Sequence, residues 1–213
     1  MIFHNVAQNT DDWLQLRSGK ITSSGLSKIM ANYGKAFGEP AKKYATNIAL
    51  EQILGRPLSS GGFSNDHTER GHEQEPIARS LYEGMFFCEI GNGGFFEAGD
   101  VGASPDGLVH GDGLIEIKSV ISTIHYDNVR RQSFDPAYRW QLLGNLKVTG
   151  RDWIDFVSFC NDFPDDKKLY VYRLNKDDYA KEFEQIDERL SEFRELILAS
   201  KSTILNSEYC VNF

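Results

Sequence analysis

"GASPDGLVHGDGLIEIKS", residues 102–119, holds a Ser-Pro-Asp-Gly turn, two glycines around an aspartate, and a glutamate and lysine two positions apart. In a strand, side chains at i and i+2 share a face, so Glu116 and Lys118 point one way while Ile115 and Ile117 point into packing. The "HGDG" turn folds the segment ending near Leu108 back alongside, which places Asp106 close to Glu116. Two carboxylates pressed together repel and favour a cation between them, and hard oxygen ligands suit Mg²⁺ or Mn²⁺. Lys118 beside such an ion could orient and deprotonate a water. The same residues also read as an exposed hairpin of ordinary solvated charges, because a D-x9-E-x-K pattern recurs by chance.

Upstream, the chain is patterned for helices. Thr10 caps "TDDWLQLR", which has acids in its first turn and ends at Arg17 before Gly19. Thr22, Ser23 and Ser24 offer caps for a second helix in "ITSSGLSKIM". "PAKKYATNIALEQILG" opens at Pro40, presents Tyr44, Ile48 and Ile53 on one face, and stops at Gly55. Residues 55–68, rich in Gly and Ser, read as a mobile loop. In "GHEQEPIARSLYEG" Pro76 stands near the first turn or kinks the helix, with Ala78, Leu81 and Tyr82 inward.

After Gly84, Gly-Asn and Gly-Asp turns punctuate an apolar, aromatic stretch that predicts three strands of an antiparallel meander. "YRWQLLGNLKVTG" predicts a helix, and "DWIDFVSFCN" and "KKLYVYRLN" predict strands. Tyr179, Phe183, Ile186, Leu190, Phe193 and Ile197, spaced by three and four, form the core stripe of a long final helix. This order of elements predicts an α+β fold, a mixed α/β sandwich, in a single domain over residues 1–213.

Composition bounds the partners. The 31 acids and 23 bases give a net charge of −8, which by itself repels nucleic acid and anionic membranes. Local basic clusters exist at Lys35, Lys42 and Lys43 and at Arg130, Arg131 and Arg139, although charge runs are usually solvated faces. Cys88, Cys160 and Cys210 are odd in number and lack zinc or disulfide spacing, so reduced thiols in a cytosol are expected. No signal-like start and no run of 18 apolar residues occur, so a soluble chain that is not exported is expected, with no membrane partner.

The segment "SPDGL" followed by "IEIKS" resembles the PD-(D/E)xK nuclease core, with Asp106, Glu116 and Lys118 at its three defining positions. "WLQLRSGKITSS", "GHEQEPIARSLYE", "GASPDGL" with "IEIK", and "YRWQLLGNLKVTGRDWIDF" follow in the order seen in the lambda exonuclease (YqaJ-type) family of phage recombination nucleases. This resemblance spans about residues 10–160, and four ordered segments are far more specific than one.

The resemblance implies a central mixed sheet flanked by helices. It also implies that Asp106, Glu116 and the carbonyl of Ile117 bind the metals, Mg²⁺ with Mn²⁺ as substitute, and that Lys118 assists the attacking water. Glu75 matches an additional acidic position, although a salt bridge to Arg79 at i+4 explains it equally well. Tyr138 and Gln141, three apart on one helical face, match a Y-x-x-Q motif that orients the scissile strand. Arg17, Ser24 and Ser104 match positions that cradle a terminal 5′-phosphate, where an Arg fork, hydroxyls and a helix N-terminus suit a dianion. Taken singly they also read as a helix-ending Arg and ordinary caps. A proline often follows the lysine in relatives. Here Ser119 and Val120 follow, so the loop from Ile121 to Tyr138 is expected to take its own path.

The implied activity is Mg²⁺-dependent 5′-to-3′ degradation of one strand from double-stranded DNA ends, releasing mononucleotides and leaving a 3′ single strand for recombination. The resemblance further implies a ring-shaped homotrimer, a single-strand annealing protein as partner, and the cytoplasm of a bacterial host, with the gene carried by a phage or prophage. A ring reconciles the charge, since basic residues can line a channel while the exterior stays acidic. Two alternatives are an endonuclease of restriction or repair type, and a non-cleaving module that binds DNA ends and recruits other factors.

Overall fold

The computed structural model describes residues 1–58 and 66–207. Cys210 and residues 59–65 of the expected mobile loop lie outside them. In chain order the elements are β1 (Ile2–His4), α1 (Asp11–Arg17), β2 (Ile21–Thr22), α2 (Leu26–Met30), α3 (Glu39–Leu54), α4 (Asp66–Phe86) and β3 (Ile90–Asn92). There follow β4 (Phe95–Ala98), β5 (Val101–Ala103), β6 (Gly107–Val109), β7 (Gly113–Ser119), α5 (Ser122–Arg131), α6 (Arg139–Thr149), β8 (Trp153–Phe159), β9 (Leu169–Asn175) and α7 (Ala180–Leu205).

Helix ends follow local chemistry. The Thr10 hydroxyl accepts from the Trp13 N–H and starts α1. Gly55 and Gly150 stop α3 and α6 in the left-handed conformation that a glycine adopts without steric penalty. Thr22 and Ser24 differ from expectation. A single 3-10 turn, Ser23–Gly25, precedes α2, and the Thr22 side chain makes no cap bond. Instead Thr22 Oγ1 lies 3.1 Å from Ser24 Oγ and 3.2 Å from the Tyr44 hydroxyl. Pro76 lies well inside α4, because that helix begins at Asp66, ahead of its sequence-predicted start.

The expected three-strand meander is five strands divided between two mixed sheets. β1, β4, β5 and β2 form one, in that order, and β3, β6, β7, β8 and β9 form the other. Turn residues show where a chain reverses but not which strand it meets, and strands of three or four residues carry little register information of their own. β7 pairs antiparallel with β6 and parallel with β8. A parallel neighbour requires a crossover, supplied here by α5 and α6. The segment expected as a loop after Ile121 therefore contains a helix.

β7 is buried on both faces from Gly113 to Ile117, as a central strand covered by helices must be. On one face Leu114, Phe156 and Ile154 pack with Leu142, Leu143 and Leu146 of α6 and with Ile186, Leu190 and Phe193 of α7. On the other, Ile115, Ile117, Val157 and Phe159 pack against Ala78 and Tyr82 of α4. Full burial of each large side chain contributes about 1.5–3 kcal/mol. Leu81, expected inward, is exposed, since Ala78 and Tyr82 already turn the opposite face of α4 to the sheet. Buried Asp155 on β8 sets that rotation: it accepts from the Tyr82 hydroxyl at 2.7 Å and from Arg173 at two distances of 2.8 Å. Glu75 precedes Tyr82 by two turns and shares its face, so the same contact aims Glu75 at the end of β6.

Candidate active site

The hairpin register pairs Gly107 with Ile115, which sets Asp106 opposite Glu116. β6 begins at Gly107, so the next free N–H along the β7 edge has no strand partner, and the Asp106 carboxylate takes its place. Asp106 Oδ2 accepts from the Ile117 N–H at 2.6 Å. In a ladder the N–H and C=O of one residue face the same edge, so the Ile117 carbonyl is directed to Asp106's side. Asp106 is also fixed by its backbone: its carbonyl accepts from Arg79 Nη1 at 2.6 Å, and Arg79 Nη2 reaches Ile90 O at 3.0 Å.

Close packing behind this segment needs a glycine. A Cβ on Gly93 would lie 1.8 Å from the Pro105 carbonyl oxygen, a backbone atom that also accepts from Gln8 Nε2 at 2.8 Å. Gly93→Ala is expected to lower the melting temperature by about 2–12 °C, from roughly 1–3 kcal/mol of overpacking. A melting curve unchanged from the parent would contradict the close approach.

Glu116 is the most enclosed acid of the group, 1% exposed. Its Oε1 accepts from Lys118 Nζ at 2.6 Å and from Gln141 Nε2, and its Oε2 accepts from Asn145 Nδ2 at 2.9 Å. Lys118 lies over the Tyr138 ring, 5.0 Å from its centroid. Tyr138 itself sits in a 3-10 turn, Pro136–Tyr138, just before α6 rather than inside the helix. Gln141 therefore faces the metal-type acid in this arrangement, and Tyr138 faces the lysine. Asn145, one turn beyond Gln141, was not expected from the sequence. The i, i+4 spacing of two amides in an otherwise apolar helix face was the available signal.

Glu75 stands at the edge of both readings. Its carboxylate is 4.0 Å from Arg79, a long pair, and it fronts the same cleft as Asp106 and Lys118. Burial and then the charge of Asp106 push its carboxyl up to about 7, against the pull of Arg79 and Lys118. Burial and Asp106 likewise raise Glu116 to about 7. Burial raises Asp106 as well, offset by Lys118 and the Ile117 N–H. For Lys118, burial acts downward but Glu116 and Asp106 outweigh it, so its pKa rises and it stays an ammonium. One ammonium does not offset the cost of ionising all three crowded acids together near neutral pH.

Among the described residues no three His, Cys, Asp or Glu side chains are arranged to hold a metal ion. The donor chemistry nonetheless fits one. Glu75, Asp106 and Ile117 line a cleft of about 510 Å³, and Glu116 is the residue before Ile117 on β7, so the available ligands are hard oxygens without thiol or imidazole. Glu116 would exchange a protein donor for the ion. Val120, Ile121 and Ile124 give the same cleft an apolar part of its lining.

A second polar site adjoins the first. Ser104 Oγ accepts from Trp13 Nε1 at 2.9 Å and from Arg17 Nη1 at 3.2 Å, while Arg17 Nη2 points to Ser24 Oγ at 3.4 Å. The guanidinium stacks 4.1 Å from the Trp13 ring centroid. Burial lowers its pKa, yet an arginine remains charged, and no ion pair to it occurs among the described residues. Arg17, Ser24 and Ser104 are thus brought together. Ser104 is two residues from Asp106, which limits the backbone separation to about 7 Å. The basic clusters fare differently: Lys42, Arg130 and Arg139 pair with Glu39, Asp127 and Glu182.

The chain matches a family model described as a YqaJ-like viral recombinase domain over residues 12–152. No curated protein matches it. A crystal structure of LHK-Exo in complex with dAMP is similar at 29% identity and a TM-score of 0.77, covering 92% of this chain and 99% of that one. The alkaline exonuclease LHK-Exo from Laribacter hongkongensis, in a second crystal structure, is similar at 28% identity and a TM-score of 0.76, with the same coverage. A phage-related exonuclease from Haemophilus somnus 129PT shares the fold, at 18% identity and a TM-score of 0.67 over 87% of this chain and 96% of that one. The family match and the likeness to LHK-Exo support a nuclease function, and the match from Asp12 through the hairpin to Asp152 makes this chain a member of the YqaJ-like viral recombinase domain family.

Proposed function

We propose that the chain is a Mg²⁺-dependent exonuclease that degrades one strand of double-stranded DNA from its 5′ end to mononucleotides. The 3′ single strand left behind is the substrate of an annealing protein, and a homotrimeric ring keeps the enzyme on its DNA. The observation that carries this reading is the position of the Arg17, Ser24 and Ser104 pocket two residues from Asp106. An anion held there is a terminal phosphate, because the next phosphodiester then falls beside the acids. A relative at 29% identity crystallised with dAMP agrees with a mononucleotide product.

The residues divide the work as follows. Arg17 forks onto the 5′-phosphate and the two serine hydroxyls complete the cradle. Asp106, Glu116, Glu75 and the Ile117 carbonyl would hold the cation, which when bound would neutralise phosphate charge and acidify water. Lys118 donates to the attacking water and orients it, and Tyr138 holds the ammonium from below. Gln141 steadies Glu116 and the scissile strand. The apolar wall at Ile121 and Ile124 accepts sugar and base. Attack at phosphorus breaks the bond to the 3′ oxygen, so the released nucleotide leaves with a 3′-hydroxyl. The shortened strand then carries a new 5′-phosphate, the group Arg17 recognises.

The test is a digestion of end-labelled linear duplex, with 5′-phosphate or 5′-hydroxyl ends, alongside circular duplex, with and without Mg²⁺. Linear 5′-phosphate DNA should be degraded fastest and circles not at all. Arg17→Ala should reduce the preference for phosphate ends by roughly 10- to 150-fold, the equivalent of about 1.5–3 kcal/mol for a charge-assisted hydrogen bond. Salt must be held constant, because phosphate contacts are screened. Equal rates on both ends, or cutting of circles, would transfer the assignment to an endonuclease. Binding of ends with no cleavage in any metal would favour the recruitment module.

A further inference from the structure

We propose that Asn145 is a positioning residue, fixing the Glu116 carboxylate in the orientation that receives a divalent cation. The inference rests on the reading of Glu116 as a cation ligand. It begins with a residue type that packing does not explain. α6 is apolar around this position, with Leu142, Leu143 and Leu146 fully buried, and Asn145 is itself 1% exposed. One half of its amide is used: Nδ2 donates to Glu116 Oε2 at 2.9 Å. The other half is not, since Oδ1 is buried with no hydrogen-bond partner among the described residues. An orphaned buried carbonyl is unfavourable, and a leucine has the same branched four-atom outline without it, although its methyl groups take more room. Among the described residues the amide's one side-chain hydrogen bond is therefore with the β7 acid, whose Oε2 would lose that donor if the residue here were apolar.

That contact does something Gln141 and Lys118 cannot. Both of those donors act on Oε1. With Oε1 alone held, the carboxylate can still turn about its terminal torsion, which is broad. A donor on Oε2 removes that freedom and, with two donors already on Oε1, leaves one acceptor site of the carboxylate open, on Oε2. When the cation displaces a donor from Oε1, Asn145 keeps the group in place. Partners of this kind set ligand orientation in metal sites generally, and their loss typically weakens metal affinity by about 10- to 100-fold.

The experiment uses the full chain with Mn²⁺ as the probe, free Mn²⁺ being read by electron paramagnetic resonance, and thermal melts in EDTA. Asn145→Leu is expected to weaken Mn²⁺ binding by about 10-fold or more while the chain stays folded in EDTA, its melting temperature falling by no more than about 12 °C from the added methyl volume and the lost donor to Glu116. In a Glu116→Gln background the same substitution should change Mn²⁺ affinity no further. Equal affinity in the parent and Asn145→Leu overturns the proposal. So does an equal loss in both backgrounds, which would show that the effect bypasses Glu116. A variant that fails to fold, or melts far lower in EDTA, makes Asn145 a structural residue and also overturns it. Absence of saturable Mn²⁺ binding in the parent chain is the distinct result that removes the cation reading itself, and this inference with it.

Discussion

Lys118→Met is expected to reduce DNA cleavage by about 10²- to 10⁴-fold while leaving the fold and DNA-end binding intact. The loss is that of a positioned group assisting proton movement at the attacking water. Methionine retains an unbranched stem against the Tyr138 ring, so packing is preserved. Glu116 loses one of three donors but keeps Gln141 and Asn145. The ammonium lies beside the acids but outside the oxygen ligand set, and its loss removes a like charge from the cation's surroundings, so cation binding should stay level or tighten while turnover falls. Circular dichroism, an end-binding assay and a nuclease assay on one preparation decide the matter. Activity within about tenfold of the parent would remove Lys118 from the reaction. Unfolding would make it a counter-charge for buried Glu116 and nothing more.

Asp106→Asn should abolish Mg²⁺-dependent cleavage and, in metal-free buffer, raise the melting temperature. The two effects have one cause. The asparagine oxygen can still accept the Ile117 N–H, so the end of the hairpin stays closed, but the charge that presses on Glu116 and Glu75 is gone. Each ~1 kcal/mol of relieved repulsion raises the midpoint by about 2–4 °C for a chain of this size. Cleavage falls by about 10³-fold or more if the lost ligand contributes roughly 4 kcal/mol at the transition state. In excess Mg²⁺ the order of stabilities should reverse, because only the parent gains the free energy of ligand binding. The measurement is a pair of melts, in EDTA and in saturating Mg²⁺, beside initial rates. A variant still stimulated by Mg²⁺ would sink the site, and one less stable in EDTA would show that Asp106 serves chiefly to close the hairpin.

Residues 102–119 were legible in detail. Period-two alternation placed Glu116 and Lys118 on one face, and a glycine turn set Asp106 against Glu116; both are properties of a single hairpin. Helix ends at Thr10 and Gly55 were equally local, since a cap needs only its own few residues. The stripe on α7 was readable because Ile186, Leu190, Phe193 and Ile197 repeat at helical spacing. By contrast α5 was missed. Its sequence, "STIHYDNVRR", is polar, and its inward side is carried by His125 and Asn128, which bond Ser158 on β8. Polar anchoring of this kind leaves no hydrophobic period to detect.

What the sequence determined by itself is therefore what short-range geometry controls: the helix caps, the alternation of β7, the hairpin, and the ordered motifs that mark the family. Tertiary structure alone decided which strands meet, why β4 and β5 leave the meander for another sheet, and that β7 takes β8 as a parallel neighbour. It alone brought Arg17 and Ser24 to Ser104 and set Asn145 on the second oxygen of Glu116. The reason is physical. Pairing across 25 to 90 residues is chosen by the burial of whole faces and by buried charges finding partners, and those free energies belong to no local stretch of chain.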